Sequence, residues 1–390
     1  VKIPLIKNTF YNESKVKKQI IKFIKREKKF TKGFYTELFE KKASEWLGTR
    51  YAVFVNSGSS ANLCLLQALK NLNIIKENDN IGISAITWAT NVMPVIQMSC
   101  KPIPIDVSKS TLNISPDNLL QTLKKTKLKA LFITHALGLS DNIIEIKKIC
   151  DDNNIILLED NAESFGTEYQ NKKLGTYGLA STTSLFVGHQ YSSTIEGGLI
   201  FTDDFELYQM LKMVRSHGWS RDIVQVNWSG IDQYQSKDKF YEKYTFYDLA
   251  YNIRSTDLQA FIGLQVLPYL HEMVKKREII YDNVFNNINI KHLDILEIKA
   301  LTIFSAFCLP FIFKNKEDCE KYKRLFEKAG IEIRPIIAGN ITRQPFWNKY
   351  IKKFYDLPNA DYISDHGFYC GCYPEMTNKE INYIKDIINV

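Results

Sequence analysis

Four stretches of the chain carry residue types that could do chemistry. Asn56-Ser57-Gly58-Ser59-Ser60 follows a β-rich run at 51–55 and precedes a helical stretch expected over 61–72. A strand feeding a small-residue loop and a helix start presents unpaired N–H groups and the positive end of the helix dipole, which together make an anion site. The same pattern also serves as an ordinary serine-capped turn. Trp88, just past the β-rich run 81–85, could stack on a planar ring or fill the core. Glu159 and Asp160 end the buried-type run 155–158. In open α/β sheets ligands bind beyond the carboxyl ends of strands. An acid there can pair with a pyridine nitrogen, keep it protonated and make the ring an electron sink, or it can be a strand end facing solvent. His189 follows the run 183–187 and precedes Glu196-Gly197-Gly198. Its unperturbed pKa of roughly 6.5 lets histidine move protons near neutral pH. His135, at the end of the run 130–134, reads instead as a packed, hydrogen-bonded residue.

Elements that could position these residues alternate along the chain. An extended arm at 1–10 leads to a helix at 13–27, a turn at Gly33, and a helix with Thr36 as its cap that ends at Gly48. Ser115 and Pro116 open a further helix. β-rich runs alternating with helical ones predict an α/β fold built on a mostly parallel sheet flanked by helices. The runs 180–187 and 198–202 have no helix between them, so that part of the sheet should be antiparallel. The polar, aromatic-rich stretch 222–247 has no periodicity and reads as a functional loop or dimer contact. A helix opens at Thr256 or Asp257, and a longer one at 267–287 bridges to a strand at 303–313, a helix at 317–329, a strand from Gly330 and a last helix at 378–388. These divide the chain into a large domain, 1–260, and a smaller C-terminal α/β domain, 261–390.

Apolar residues make up 45% of the 390 residues, enough for a substantial core and against a disordered chain. The net charge of +8 is scattered, which reads as a solvated basic face suited to an anionic small substrate, with no nucleic-acid motif. The 7 cysteines are odd in number and dispersed, as in a reduced, cytoplasmic protein. Cys370 and Cys372 alone are too few for zinc, so no metal is expected. The N-terminus lacks a signal-peptide pattern, and no apolar run is long enough to span a bilayer.

In this order the pieces resemble the pyridoxal-phosphate (PLP)-dependent sugar-nucleotide aminotransferases and dehydratases, the DegT/DnrJ/EryC family. The resemblance rests on Lys28-Lys29-Phe30-Thr31, on Ser57 through Leu63, on Glu159 through Ser164, on His189 with Glu196-Gly197-Gly198, on His217-Gly218-Trp219, on Tyr251 through Arg254, and on Gly330 through Pro335. It implies the aspartate-aminotransferase-like fold (PLP fold type I) and a homodimer with active sites at the subunit interface. By resemblance, Gly58, Ser59 and Ser184 would hold the cofactor phosphate, and Asn252 would reach it from the partner subunit. Trp88 would stack on the ring, Asp160 would pair with its nitrogen, and Glu163 would lie close by. Lys28, Lys29, Phe30, Thr31, His217, Arg221, Arg254 and Glu332 would contact a nucleotide-sugar substrate.

Most members of the family carry a lysine where this chain has His189. A lysine anchors PLP covalently and shuttles protons; a histidine can do only the second. PLP and its pyridoxamine form (PMP) would therefore be held non-covalently, with L-glutamate as amino donor. This is similar to the 3-dehydratase branch of the family. The implied reaction removes the C3 hydroxyl of a nucleotide-linked 4-keto-6-deoxyhexose, GDP-4-keto-6-deoxymannose first, and releases ammonia, in surface-polysaccharide synthesis. Some 3-dehydratases also hold an iron–sulfur cluster served by a reductase. The stretch 217–251 has no cysteine, so neither cluster nor reductase is expected. The competing reading is a family member whose lysine is replaced, either an engineered Lys-to-His aminotransferase or a non-catalytic protein that only binds sugar nucleotides.

Overall fold

The computed structural model describes residues 2–189, 191, 195–223, 239–242, 244–288 and 291–389. Its central element is a seven-stranded sheet of β1 (Tyr51–Val55), β2 (Asn80–Ser84), β3 (Lys101–Ile105), β4 (Ala130–Thr134), β5 (Ile156–Asp160), β6 (Ala180–Ser184) and β7 (Gly198–Thr202). The spatial order is β1-β7-β6-β5-β4-β2-β3. Neighbours pair in parallel except β7, which is antiparallel to β1 and to β6. The exception lies where the sequence offers no crossover helix. Helices cover both faces, so the fully buried β4 is apolar up to its last residue, Thr134.

Local chemistry sets the helix starts. Thr256 and Gln259 form a capping box that opens the helix Asp257–Val266, and Ser115 with Asn118 does the same for Pro116–Leu123. The helix Phe34–Leu47 departs from expectation. Thr36 does not cap it; the Asp257 carboxylate does so from far along the chain, accepting from the N–H groups of Gly33 (2.8 Å) and Thr36 (3.0 Å). That helix ends at Gly48, whose φ of 98° suits glycine. The helix Ala89–Gln97 was not foreseen, because Pro94 lies inside it. Proline leaves the carbonyl four residues back without its donor, and the Asn62 side chain supplies one to Thr90 at 3.3 Å.

The expected single strand at 303–313 is two, Leu301–Ile303 and Cys308–Ile312, separated by an irregular crossing. Ser305 backbone lies so close to Gly138 that a Cβ there would sit 2.3 Å from its carbonyl oxygen. Cys308–Ile312, Ile333–Pro335 and Gly367–Gly371 form a small antiparallel sheet, with the last strand, also unforeseen, in the middle. The N-terminal arm docks on this sheet through Ile3, which bridges to Ile331. One buried cluster runs unbroken from Ile3 and Ile105 to Leu309 and Ile384. The expected loop at 222–247 falls largely outside the described residues, as do Gln190, Ser192 and Ser193.

Candidate active site

Beyond the carboxyl ends of β5 and β6 lies a cavity of ≈ 830 Å³. Gly58, Ser59, Trp88, Asp160, Glu163, Ser184, His189 and Glu332 all line it. No lysine does so among the described residues.

One end is an anion cradle. The helix Gly58–Asn71 starts three residues earlier than expected, so the serine–glycine loop is itself the helix N-terminus. Ser57 caps it, accepting from Ser60 N–H at 3.0 Å, and the Ser57 carbonyl takes Ala61 N–H. The N–H groups of Gly58 and Ser59 belong to the first helical turn, which has no internal acceptor for them. Glycine is required at 58, because a Cβ would stand 2.6 Å from the Ser184 Cβ. Gly198 permits a similar approach on the other side, where a Cβ would meet the Ser57 carbonyl oxygen at 2.3 Å.

At the opposite side Asp160 is 5% exposed, so it is not a solvent-facing strand end. Its carboxylate accepts from Ala162 N–H at 2.8 Å and from Asn91 Nδ2 at 2.6 Å. Burial pushes its pKa up, while those donors, Asn62 and His135 pull it back. Trp88 is 56% exposed and lines the cavity, which removes the core-aromatic reading. Trp88 and Asn91 sit at the start of the unforeseen helix Ala89–Gln97, so that helix positions both. Period-2 alternation turns Glu159 to the other face of β5. There it accepts from Gly175, Tyr177 and Gly178 N–H groups at 2.7–2.8 Å and faces His135 Nε2 at 3.0 Å. Burial works to raise the pKa of Glu159, but His135 and the amides win and hold it below the usual range. His135 is thus the packed residue expected.

His189 Nδ1 lies 2.7 Å from the Ala162 carbonyl oxygen. A carbonyl only accepts, so Nδ1 carries the hydrogen and the neutral ring keeps its lone pair on Nε2. Burial lowers the pKa of His189 to about 4, against the pull of the Ala162 carbonyl, and Arg277 adds to the lowering. Glu163 takes Leu137 N–H at 2.9 Å. Burial, opposed by that bond and reinforced by the Asp160 charge, raises its pKa to about 8. Glu332 is already engaged, by Leu5 N–H at 3.1 Å and by Arg334.

The remaining expected residues do not line the cavity. They form a second cluster on the surface. The Arg221 guanidinium lies 4.0 Å from the Trp219 ring and 4.5 Å from that of Tyr244, and Arg254 lies 5.5 Å from the same tryptophan. The His217 ring stands 4.9 Å from Trp219. Asn252 Oδ1 accepts from Arg254 Nε at 3.0 Å. Lys28, Lys29, Phe30 and Thr31 are exposed beside them, joined by the Thr31–Thr256 bridge and by Lys32–Asp222 at 3.1 Å. The sequence reading had not singled out Asn62, Asn91 or Arg277.

A cradle of helix N–H groups, an exposed flat indole and a buried acid held by amide donors fit a phosphorylated pyridine cofactor. Residues 12–389 match the DegT/DnrJ/EryC1/StrS aminotransferase family, and the chain belongs to it. It is 34% identical to GDP-4-keto-6-deoxy-D-mannose 3-dehydratase of Yersinia pseudotuberculosis, over 92% of each chain. It is 31% identical to the Salmonella typhimurium lipopolysaccharide biosynthesis protein RfbH, over 91% of this chain and 84% of that one. Among solved structures it superimposes on Escherichia coli GDP-4-keto-6-deoxy-D-mannose-3-dehydratase with bound hydrated PLP, at a TM-score of 0.90 and 31% identity, covering 100% of this chain and 99% of the other. A structure of that type of dehydratase with a trapped PLP-glutamate geminal diamine gives 0.89 at 31% identity, covering 99% and 100%. The fold is therefore the aminotransferase fold expected.

Proposed function

We propose that the chain is a PLP-dependent sugar-nucleotide 3-dehydratase that removes the C3 hydroxyl of GDP-4-keto-6-deoxymannose, with L-glutamate as amino donor and ammonia as co-product. The observation that carries this is His189, set in a cavity that no described lysine lines, with Nδ1 tied to Ala162 and the lone pair left on Nε2. The full-length likeness to 3-dehydratases supports it over a protein that only binds.

When bound, PLP supplies an electron sink and, in its PMP form, an amine taken from glutamate. The first-turn N–H groups of Gly58 and Ser59, with Ser184, would hold its phosphate. Asp160 would pair with the ring nitrogen, and a cation there would favour the ionised carboxylate that burial alone opposes. Trp88 would cover one ring face. His189 Nε2 would take the proton from carbon and return it to the departing C3 oxygen, one group serving as base and then acid. With histidine at position 189, that side chain cannot reclaim the cofactor by a competing covalent bond.

The exposed cluster completes this reading. In a homodimer, Asn252, Arg254, Arg221 and His217 of one protomer would close the cavity of its partner, with Lys28–Thr31 beside them on the nucleotide. Arginine forks suit diphosphate oxygens. No described helix is long and apolar enough to cross a membrane, and all 7 cysteines are free and buried, which supports a reducing, cytoplasmic setting.

The test is a glutamate half-reaction. The purified protein with PLP and L-glutamate should form PMP and 2-oxoglutarate, and borohydride should leave no cofactor attached to the chain. A covalent adduct, or no reaction with glutamate, would remove the assignment.

A further inference from the structure

Arg277 is a buried cation that faces no carboxylate among the described ion pairs. It lies in the helix Leu270–Phe285 and is 6% exposed. Its Nη1 donates to the carbonyl oxygens of Ala306 (3.3 Å), Phe307 (3.2 Å) and Cys372, while Nε has no partner. Arg215, also buried, shows the usual solution: it pairs with Glu40 and stands 3.8 Å from Asp222. An arginine held by neutral carbonyls, with Glu375 acting on it only through its charge, keeps much of its own charge uncompensated in a low-dielectric interior, a costly arrangement.

The clamp has a direct bearing on the site. The carbonyls belong to two segments of the cavity wall, since Phe307, Cys308 and Gly371 all line it. The Phe307 ring stands 5.6 Å from the His189 ring. We infer that Arg277 is a positioning residue for His189: its guanidinium staples the turn at 306–308 to Cys372 behind the imidazole, and its charge keeps that ring neutral.

The other titratable groups around His189 leave Arg277 as the charge that adds to the effect of burial. Glu163 has its pKa raised to about 8 by burial and so carries a proton at neutral pH. Cys308 and Tyr369 are also held protonated by burial. Asp160 is committed to the donors of Ala162 and Asn91. Burial is the larger influence on His189, Ala162 opposes it, and Arg277 is the cation that adds to it. A histidine that stays neutral can accept a proton as soon as substrate arrives, without first losing one to solvent. The inference gives the proposed base its protonation state and so rests on that reading, but its measurement does not.

His189 can be titrated by NMR in protein carrying [13Cε1]-histidine, its signal assigned among the 6 histidines by its loss in His189→Asn. Wild-type His189 is expected to titrate well below a free histidine. Arg277→Met, which keeps the volume and removes the charge, is expected to raise the midpoint toward that of a free histidine. A wild-type midpoint at the ordinary value, or an unmoved midpoint in folded Arg277→Met, would overturn the inference. If that variant does not fold, Arg277→Gln, neutral but still able to donate to the carbonyls, decides: a raised midpoint supports the role of the charge, and an unmoved one refutes it. The glutamate half-reaction run on the same samples separates the two claims. Its failure beside a normal Arg277 effect would sink the dehydratase reading alone.

Discussion

The cavity and the exposed arginine–tryptophan cluster solve opposite problems. In the cavity the working groups are short, and their places are set by backbone. Gly58 and Ser59 are a helix start pressed against Ser184, and Asp160 is a strand end held by Ala162 and Asn91. In the surface cluster the groups are long and cationic, and Arg221 and Arg254 are held by the face of Trp219. The first arrangement suits a cofactor that must not move during bond breaking; the second suits a charged ligand that must come and go. Reaction type should therefore follow the cavity, and substrate affinity the cluster.

Variants can break or sharpen that division. His189→Asn keeps a polar ring-sized group but no titrating nitrogen, and dehydration in a single turnover is expected to fall by about 10³-fold with PLP still bound. Gly58→Ala sets a methyl 2.6 Å from the Ser184 Cβ. It should weaken PLP binding, measured by absorbance titration, by on the order of 10- to 100-fold, since overpacking a tight contact commonly costs that much. Arg254→Ala should raise the KM for the nucleotide-sugar about 10-fold and leave the glutamate half-reaction unchanged, because a lost charged hydrogen bond costs that order. An equal loss in both half-reactions would mean that the cluster also shapes the cavity. Glu163→Gln should have the smallest effect, on stability. The pKa of Glu163 is raised from 4.5 to about 8 by folding, so the folded state holds its proton more tightly than the unfolded chain. That contribution is fully present below 4.5 and is lost as pH rises through about 8. Thermal melts of the cofactor-free protein between those limits should show wild type losing stability with rising pH more steeply than Glu163→Gln.

The cavity was legible in the sequence because its residues follow strand ends, where an α/β sheet must place ligands. Gly58, Asp160 and Ser184 each sit at such an end. The cluster's location away from the cavity of its own chain was implied only by resemblance. What escaped has identifiable causes. Pro94 concealed the helix that carries Trp88 and Asn91, since its loss is repaired by Asn62, a residue distant in sequence. Thr36 looked like a cap, yet Asp257 does that work from far along the chain. The run 303–313 reads as one apolar strand, but it is interrupted where Ser305 passes close to Gly138, and Phe307 stands beside His189. Arg277 lies on a helix whose pattern marks it only as a bridge; its grip on the Ala306 and Phe307 carbonyls exists in three dimensions alone.

The central claim is that a neutral histidine in place of the lysine turns an aminotransferase fold to dehydration. A single turnover with PLP, 15N-labelled L-glutamate and GDP-4-keto-6-deoxymannose tests it most directly. The account predicts labelled ammonia equal to the 2-oxoglutarate formed, together with a GDP-linked 4-keto-3,6-dideoxyhexose. A GDP-linked 4-amino sugar that retains the label would contradict it.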